Sequence, residues 1–308
     1  MLRFIARRVG QGLVTIALLT VVVFLLSRAT GDPLDSLVPV DASEEQREHV
    51  ARQLGLDRPL WEQFLVYVGN LLRGDLGISF THRVPVTELF AERIFNSLAL
   101  VVPAFAIVVL VGPALGVIGA TSRFSTVRRG VLILATLGIA MPVFWLGLVL
   151  VRIFAVELGW LPASRMGGWE HYVLPVTSLS LLLIAGMMRL VRSSMLESMG
   201  RDYVKLARIK GVSERSIRWK HALRNSLSSA VAFLSVYMSS LVAGTTVIEK
   251  VFAWPGVGLL LYDGVVARNY PLVQGVILIS VVLVVAVNTV FDVLQAYLDP
   301  KVRLSGVS

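Results

Sequence analysis

The chain has 308 residues, of which 56% are hydrophobic and only 16% are charged, and its mean hydropathy is +0.75. Since a soluble domain usually carries about 25% charged residues, this composition excludes both an ordinary globular domain and a disordered chain. The absence of cysteine excludes disulfides, a cysteine nucleophile and thiolate metal sites, and the formal charge of +9 raises the question of where the basic residues lie relative to a membrane.

Six long runs of the sequence contain no charged residue. A helix needs about 20 apolar residues to cross about 30 Å of hydrocarbon, and these runs are 18 to 29 residues long. They cover residues 9–27, 94–122, 130–151, 171–188, 225–248 and 269–291. The first run is too long for the apolar region of a signal peptide, so we interpret it as a retained helix. The pattern predicts an all-α integral membrane protein with six transmembrane helices.

The basic residues predict the orientation of these helices. With the N-terminus inside, the inside segments hold 18 Lys and Arg in 68 residues, and the two short outside segments hold 4 in 39. Cytoplasmic loops are rich in basic residues, so the N- and C-termini are both expected in the cytoplasm, and nucleic acid is a poor candidate for a partner. The expected divisions are 1–27 (N-terminal tail and first span), 28–93 (external subdomain), 94–297 (core with the other five spans and the cytoplasmic segment 189–224) and 298–308 (C-terminal tail).

The external segment 28–93 is too long to be a simple turn. From Leu60 onward its apolar residues recur at helical spacing, and Pro59 suits the first turn of a helix. The sequence Gly74-Asp75-Leu76-Gly77 then ends that helix. We expect a small subdomain with one or two amphipathic helices, which either covers the spans or provides a docking surface for a soluble partner.

The inside segment 189–224 carries ten basic residues in 36. Its apolar residues recur at the helical spacings 4, 4 and 3, and three basic residues fall on a different face. The apolar set is Met195, Met199, Tyr203 and Leu206, and the basic set is Arg201, Lys205 and Arg208. This pattern predicts one amphipathic helix that runs through residues 195–206.

Gly211 is expected to end this helix in the left-handed conformation, and Ser213 and Glu214 then begin a second short helix. Two amphipathic helices joined at a glycine should therefore lie below the membrane plane. They either rest on anionic lipid headgroups or insert into a groove on a cytoplasmic partner.

The sequence contains no motif for an energy source or for catalysis. It lacks the glycine-rich phosphate loop GxxxxGK[ST], and the four histidines are scattered singly. A proton-coupled carrier usually needs a buried titratable residue, and only Arg152 and Asp292 come near the runs, both at an edge. We therefore expect no catalytic residue, no metal site and no cofactor bound by this chain.

Helix breaks are expected at Met141-Pro142 and at Trp254-Pro255-Gly256.

Two stretches of the inside segment resemble the coupling-loop signature of ABC importer permeases. They are Asp202-Tyr203-Val204-Lys205-Leu206-Ala207-Arg208-Ile209-Lys210-Gly211 and His221-Ala222-Leu223-Arg224-Asn225. Other stretches resemble the dipeptide/oligopeptide (DppB/OppB-type) branch of that family. They include Gly74-Asp75-Leu76-Gly77-Ile78-Ser79 and Glu249-Lys250-Val251-Phe252-Ala253-Trp254-Pro255-Gly256-Val257-Gly258.

The resemblance implies an ABC type I importer-like permease of the bacterial cytoplasmic (inner) membrane, with di- or oligopeptides as solutes. Its implied partners are a second homologous permease subunit, two ABC ATPase subunits that use ATP and Mg, an extracytoplasmic solute-binding protein and membrane lipid. The implied contacts with the ATPases are Asp202, Tyr203, Ala207, Arg208, Gly211, His221, Arg224 and Asn225. The implied contacts with the binding protein are Asp75, Gly77, Trp254, Pro255 and Gly256.

Two alternatives stay open at this point. One is an importer of the same branch for nickel, haem or another small solute, since nothing in the runs identifies the solute. The other is a stand-alone secondary carrier, which would explain six spans but not the amphipathic helices of the inside segment.

Overall fold

The structure is a computed structural model that describes residues 2–29, 34, 38, 42–53 and 55–298. Within these residues the chain forms helices, with a single isolated bridge between Ile78 and Pro85. The helices are α1 (Leu2–Ala29), α2 (Glu44–Gln53), α3 (Leu60–Leu72), α4 (Val86–Thr121), α5 (Ser125–Ala140), α6 (Val143–Leu150), α7 (Glu170–Gly200), α8 (Asp202–Ile209), α9 (Glu214–Ser216), α10 (Leu223–Val251), α11 (Val257–Val266) and α12 (Tyr270–Leu298). Two π-helical stretches extend them, Val151–Glu157 after α6 and Ile217–Ala222 between α9 and α10.

Four helices of the described part are long and apolar enough to cross a membrane. They are Arg3–Ala29, Val86–Thr121, Glu170–Gly200 and Tyr270–Tyr297. The bent pair Ser125–Ala140 and Val143–Glu157 provides a fifth candidate. The predicted run 225–248 is also helical, within the 29 residues of α10, but it is not among these candidates. The prediction of an all-helical membrane protein is confirmed, and the number six stays a prediction.

The run 130–151 forms two helices with a sharp bend between them. α5 and the pair of α6 with its π-helical extension meet at an angle of 106°. Pro142 has no N–H to donate and disfavours a helical conformation in the residue before it, and Met141 is accordingly extended (φ −88°, ψ 124°). The predicted break at Met141-Pro142 is confirmed, and the two helices together form the fifth candidate span.

The core of the molecule lies between α4 and α7. A Cβ atom at Gly112 would lie 2.5 Å from Cγ of Met187, and one at Gly116 would lie 2.8 Å from Cβ of Val191. Small residues let two helices in a membrane approach closely, and Met187 and Val191 are completely buried as a result. α7 continues this core towards its C-terminal end, where Met195 is also completely buried.

The described residues between α1 and α4 include the helices α2 and α3, in line with the expected subdomain of one or two helices. α3 follows Pro59 directly, and its Phe64 and Tyr67 rings pack on Phe24 of α1 at centroid distances of 5.3 and 5.6 Å. Gly74 and Gly77 take positive φ angles of 79° and 82° after α3, as the predicted end of that helix requires. α4 begins at Val86, so the last residues of the segment 28–93 belong to a membrane-spanning helix.

Candidate functional site

The candidate coupling segment begins where α7 ends at Gly200. Arg201 is extended (φ −73°, ψ 152°) and separates α7 from α8. The prediction of one continuous helix through residues 195–206 is therefore wrong. Met195 is completely buried in the core on α7, whereas Tyr203 and Leu206 are exposed on α8. The apolar spacing continues across the break although the two halves serve different contacts, and that is why the sequence pattern misled.

α8 ends at Gly211 in the conformation that the sequence predicts. Gly211 has a φ of +75°, and its N–H donates to the carbonyl of Arg208 at 3.0 Å. The N–H of Val212 donates to the carbonyl of Ala207 at 3.1 Å, which completes a Schellman cap. No atom lies within 4 Å of the position that a Cβ of Gly211 would take, so the backbone angle, not lack of room, favours glycine here. Ala207 is half-buried on α8.

An ion pair joins the two sides of this glycine turn. Nε of Arg208 lies 2.6 Å from Oε1 of Glu214. This hydrogen bond lowers the pKa of the Glu214 carboxyl and raises the pKa of Arg208. Ser213 caps the following turn, since its Oγ accepts the N–H of Ser216 at 3.4 Å.

The sequence predicted a separate second helix in this segment, and that prediction is wrong. α9 has three residues and continues through Ile217–Ala222 directly into α10. Ile217 is completely buried, so the chain enters the core immediately after the cap. His221, Arg224 and Asn225 lie on this continuation, and their side chains lie outside the described part of the structure.

α8 presents an apolar face that the described part of the chain leaves uncovered. Tyr203, Leu206 and Ile209 are 38%, 52% and 82% exposed, whereas Val204 on the opposite side is completely buried. The charged residues around this face pair with neighbours: Lys205 lies 2.9 Å from Asp202, and Arg201 lies 2.5 Å from Glu197. α8 is thus anchored to the protein by one side and offers an apolar surface on the other.

The second candidate region is the turn between α10 and α11, which the resemblance assigns to the outer surface. The structure places Trp254 inside: its side chain is completely buried and packs edge-on against Tyr172, with ring centroids 4.8 Å apart. Its indole N–H donates to the carbonyl of Asn96 at 2.8 Å, and the Asn96 amide donates to the carbonyl of Pro255 at 2.8 Å. The turn is therefore fixed to α4. Trp254 and Gly256 do not face the surface here, and Pro255 is half-buried.

Glu249 organises this turn, and the sequence reasoning missed it. Its Oε1 accepts the hydroxyl of Ser97 at 2.6 Å, and its Oε2 accepts the N–H of Leu259 at 2.9 Å. Ser97 in turn accepts the N–H of Val257 at 2.9 Å. A Cβ at Gly256 would lie 2.3 Å from the Glu249 carboxyl, so glycine is required for this approach. Because the uncharged run ends at residue 248, Glu249 was assigned to the outside. The sequence signal that could have found it is a glutamate followed six and seven residues later by Pro255 and Gly256.

The remaining external candidates lie on the loop before α4. Oδ1 of Asp75 accepts the N–H of Gly77 at 2.8 Å, and Asp75 is exposed. The amide of Asn269, at the start of α12, donates to the hydroxyls of Ser79 and Thr81 at 2.8 and 2.9 Å. Asn269 is completely buried and clamps this loop to α12.

Known proteins resemble the chain along almost its full length. Residues 112–304 match the family described as binding-protein-dependent transport system inner membrane component, and residues 1–101 match its N-terminal companion. The chain belongs to this family. The glutathione transport system permease protein GsiC of Escherichia coli strain K12 is 38% identical over 304 residues, which cover 98% of this chain and 99% of GsiC. GsiC of Shigella flexneri serotype 5b shows the same identity and coverage.

The fold of this permease is also found in a solved ABC importer. An inward-facing structure of the MetNI methionine ABC transporter matches with a TM-score of 0.58 and 19% identity, over 69% of this chain and 97% of that chain. A second crystal form of the same transporter matches with a TM-score of 0.56. The permease therefore has the type I ABC importer fold, as the resemblance implied.

Two charged residues near the edges of the apolar runs form ion pairs in the permease. Asp292 on α12 lies 3.3 Å from Nε of Arg8 on α1. Arg152 lies 2.8 Å from Glu157, and both of these side chains are exposed. These contacts give Asp292 a structural role between two helices.

Proposed function

We propose that this chain is the transmembrane permease subunit of an ATP-driven importer for di- or oligopeptides. It forms half of the translocation path together with a second homologous permease. Two ATPase subunits in the cytoplasm hydrolyse ATP with Mg, and a solute-binding protein delivers the peptide from outside. The observation that carries the coupling proposal is the apolar face of α8, which the described part of the chain leaves uncovered and which follows directly on the core helix α7.

The arrangement of α7 and α8 suits the transmission of force from the ATPases. Tyr203, Leu206 and Ile209 provide the surface for an ATPase groove, and Val204 fixes α8 to the permease from the opposite side. ATP closes the ATPase dimer and moves α8, and α7 carries this movement into the core because Met195 near its end is completely buried among apolar residues of the core. ATP can shift the permease between inward and outward states only by favouring one of them.

The proposed topology has six spans with both termini in the cytoplasm of a bacterial inner membrane. The run lengths and the bias of 18 against 4 basic residues support it. Since the chain has no cysteine, a cysteine introduced at Ser125 should react with a membrane-impermeant maleimide only after the membrane is opened. A cysteine introduced at Glu45 should react in intact cells. Labelling of the Ser125 position in intact cells would overturn the topology.

A short peptide is the proposed solute because the GsiC relatives, at 38% identity, are glutathione transport permeases. Binding of glutathione, dipeptides and longer peptides to the partner binding protein, measured by calorimetry, identifies the class. Tight binding of a metal ion or haem and of no peptide would contradict the peptide proposal.

The coupling role is tested with Ala207→Asp, which places a charge beside the apolar face without touching a span. We expect normal membrane levels, loss of ATPase co-purification and loss of solute uptake. The matched control replaces Arg201, Lys205 and Arg208 together by alanine, which removes positive charge from the same segment. If Ala207→Asp transports normally while the triple variant loses its membrane level, the segment rests on lipid and the coupling proposal fails.

A further inference from the structure

α3 carries a second uncovered apolar surface, on the side of the molecule opposite the coupling segment. None of its 13 residues is buried, although the helix packs on α1 through Phe64 and Tyr67. Trp61, Leu65 and Leu72 are 63%, 59% and 83% exposed. We call these three residues the α3 apolar face.

The α3 apolar face occupies one narrow strip beside the packed side. At about 100° per residue, Trp61, Leu65 and Leu72 lie within about 40° of each other around the helix axis. Asn70 lies on the far side, and Glu62 lies at the edge of that side, about 80° from the centre of the strip. Gln63 is on the far side too, and its amide donates to the carbonyls of Leu56 and Arg58 at 3.0 and 2.8 Å. α3 therefore has one side that is polar except for the exposed Val66, and one apolar side next to the side that packs on α1.

The contact with α1 fixes the depth of α3 relative to the membrane. Phe24, which α3 covers, is five residues before the end of α1 at Ala29, or about 7.5 Å along the helix axis. α3 thus lies beside the last turns of a membrane-spanning helix. Next to this contact, α1 exposes Leu18, Leu25 and Leu26. α3 and the last turns of α1 thus each expose apolar side chains at the same level of the molecule, and the strip of α3 itself carries no charged residue.

We propose that α3 is a membrane-interface helix, with its apolar face inserted into the lipid beside the C-terminal end of α1. Tryptophan is enriched at this depth because its ring is apolar and its N–H is polar. Arg58 and Arg73 flank the helix, and both are exposed where lipid phosphates would lie. The neighbouring helix α2 has the sequence EEQREHVARQ and offers no comparable apolar strip, so α2 faces water.

Lipid, and not the binding protein, is the occupant that we assign to the α3 apolar face. A soluble binding protein that bound the α3 apolar face would have to enter the headgroup region, where α1 is already exposed to acyl chains. Lipid is the occupant that matches both the depth and the apolar character of the strip. The proposal rests on the chain being a membrane permease and does not depend on which solute it carries.

The test uses single cysteines with nitroxide spin labels in the assembled importer, reconstituted in bilayers with anionic lipid. Labels at Leu65 and Leu72 report on the apolar face, and labels at Glu62 and Asn70 on the polar side of the same helix. A label at Leu25 on α1 is the lipid standard, and a label at Glu45 on α2 is the water standard. Collision rates with oxygen, which partitions into lipid, and with a water-soluble nickel chelate are measured with and without the binding protein.

We expect the labels at Leu65 and Leu72 to match the Leu25 standard, with high oxygen and low nickel accessibility, whether or not the binding protein is present. Labels at Glu62 and Asn70 should show the opposite ratio. Nickel accessibility at Leu65 and Leu72 equal to that at Glu45 would overturn the proposal. Low accessibility to both reagents would also overturn it, because it would show that a protein surface covers the strip.

Discussion

The candidate coupling segment 202–216 and the turn 249–259 between α10 and α11 are both built around a glycine, but in opposite ways. Around Gly211 there is open space, since nothing lies within 4 Å of the position that its Cβ would take. Around Gly256 the carboxyl of Glu249 fills that space at 2.3 Å. The first region ends in an exposed apolar face, and the second closes into a buried hydrogen-bond network.

The two regions therefore differ in how their groups are satisfied: α8 leaves apolar side chains exposed, whereas the turn 249–259 satisfies its polar groups within the protein. In the coupling segment the contacts are exposed ion pairs, which contribute little on their own. In the turn 249–259, Ser97, Glu249 and Val257 satisfy one another inside the protein. These contacts hold α4, α10 and α11 together, whereas α8 keeps an exposed apolar face to which the proposed ATPase would bind.

The largest effect is expected from Glu249→Ala. Removing the carboxyl leaves the Ser97 hydroxyl and the Leu259 N–H without their acceptor, at about 1–3 kcal/mol for each buried group. The melting temperature of the purified permease should fall clearly, and the yield of assembled importer with it. Thermal unfolding monitored by circular dichroism in detergent measures this.

Glu157→Ala is the matched control for that variant. Glu157 pairs with Arg152 on the surface, with 52% of its side chain exposed, so its removal should change the melting temperature little. Equal melting temperatures for Glu249→Ala and Glu157→Ala would contradict a closed joint at the turn.

A medium effect is expected from Gly211→Ala, compared with Gly200→Ala. Both positions have open space for a Cβ, but only Gly211 has a positive φ. Alanine at 211 therefore costs about 1–2 kcal/mol of backbone strain, and alanine at 200 costs almost nothing or stabilises the helix. ATPase-dependent uptake at matched expression should fall for Gly211→Ala and stay normal for Gly200→Ala. If both variants transport equally well, the geometry of the cap is not needed for coupling.

The smallest effect is expected from Glu214→Gln, which removes the ion pair with Arg208. The lowered pKa of Glu214 means that the pair stabilises the folded turn above the unfolded pKa of the carboxyl and loses this contribution as the pH falls through the folded pKa. At neutral pH the pair is complete, so Glu214→Gln should raise amide hydrogen exchange in residues 211–216 at neutral pH. In acid, the exchange rate of these residues in the wild type should approach that in Glu214→Gln.

Asp202→Asn is the comparison for that measurement, because Asp202 pairs with Lys205 inside α8 and does not cross the turn. It should leave exchange in 211–216 unchanged. A similar rise in both variants would show that general charge loss, and not the bridge from Arg208 to Glu214, controls the turn.

The sequence predicted features that depend on neighbouring residues, and it missed features that depend on distant ones. The positive φ of Gly211, the cap at Ser213 and the breaks at Pro142 and Pro255 follow from local backbone chemistry, and the structure confirms them. The hydrogen-bond partners of Glu249 could not be predicted from the sequence. Ser97 lies 152 positions away in the chain, and no local pattern announces such a contact.

The same distinction explains the errors in the coupling segment. Met195 and Leu206 share a helical spacing, but the extended Arg201 separates their helices, and Met195 is buried in a cluster with residues of α4 and α10. Likewise, the amphipathic spacing of α3 was readable, while the side that packs on Phe24 was not.

The central claim is that the apolar face of α8 binds the ATPase, and a cysteine at Ile209 tests it most directly. Ile209 is 82% exposed and the chain has no other cysteine, so its maleimide labelling rate reports on one position. A cysteine at the exposed Arg3 on α1 serves as the control for general accessibility. If the α8 face binds the ATPase, both positions should label fast in the permease without ATPases, and position 209 alone should be strongly protected in the full importer. Equal labelling of position 209 with and without the ATPases would contradict it.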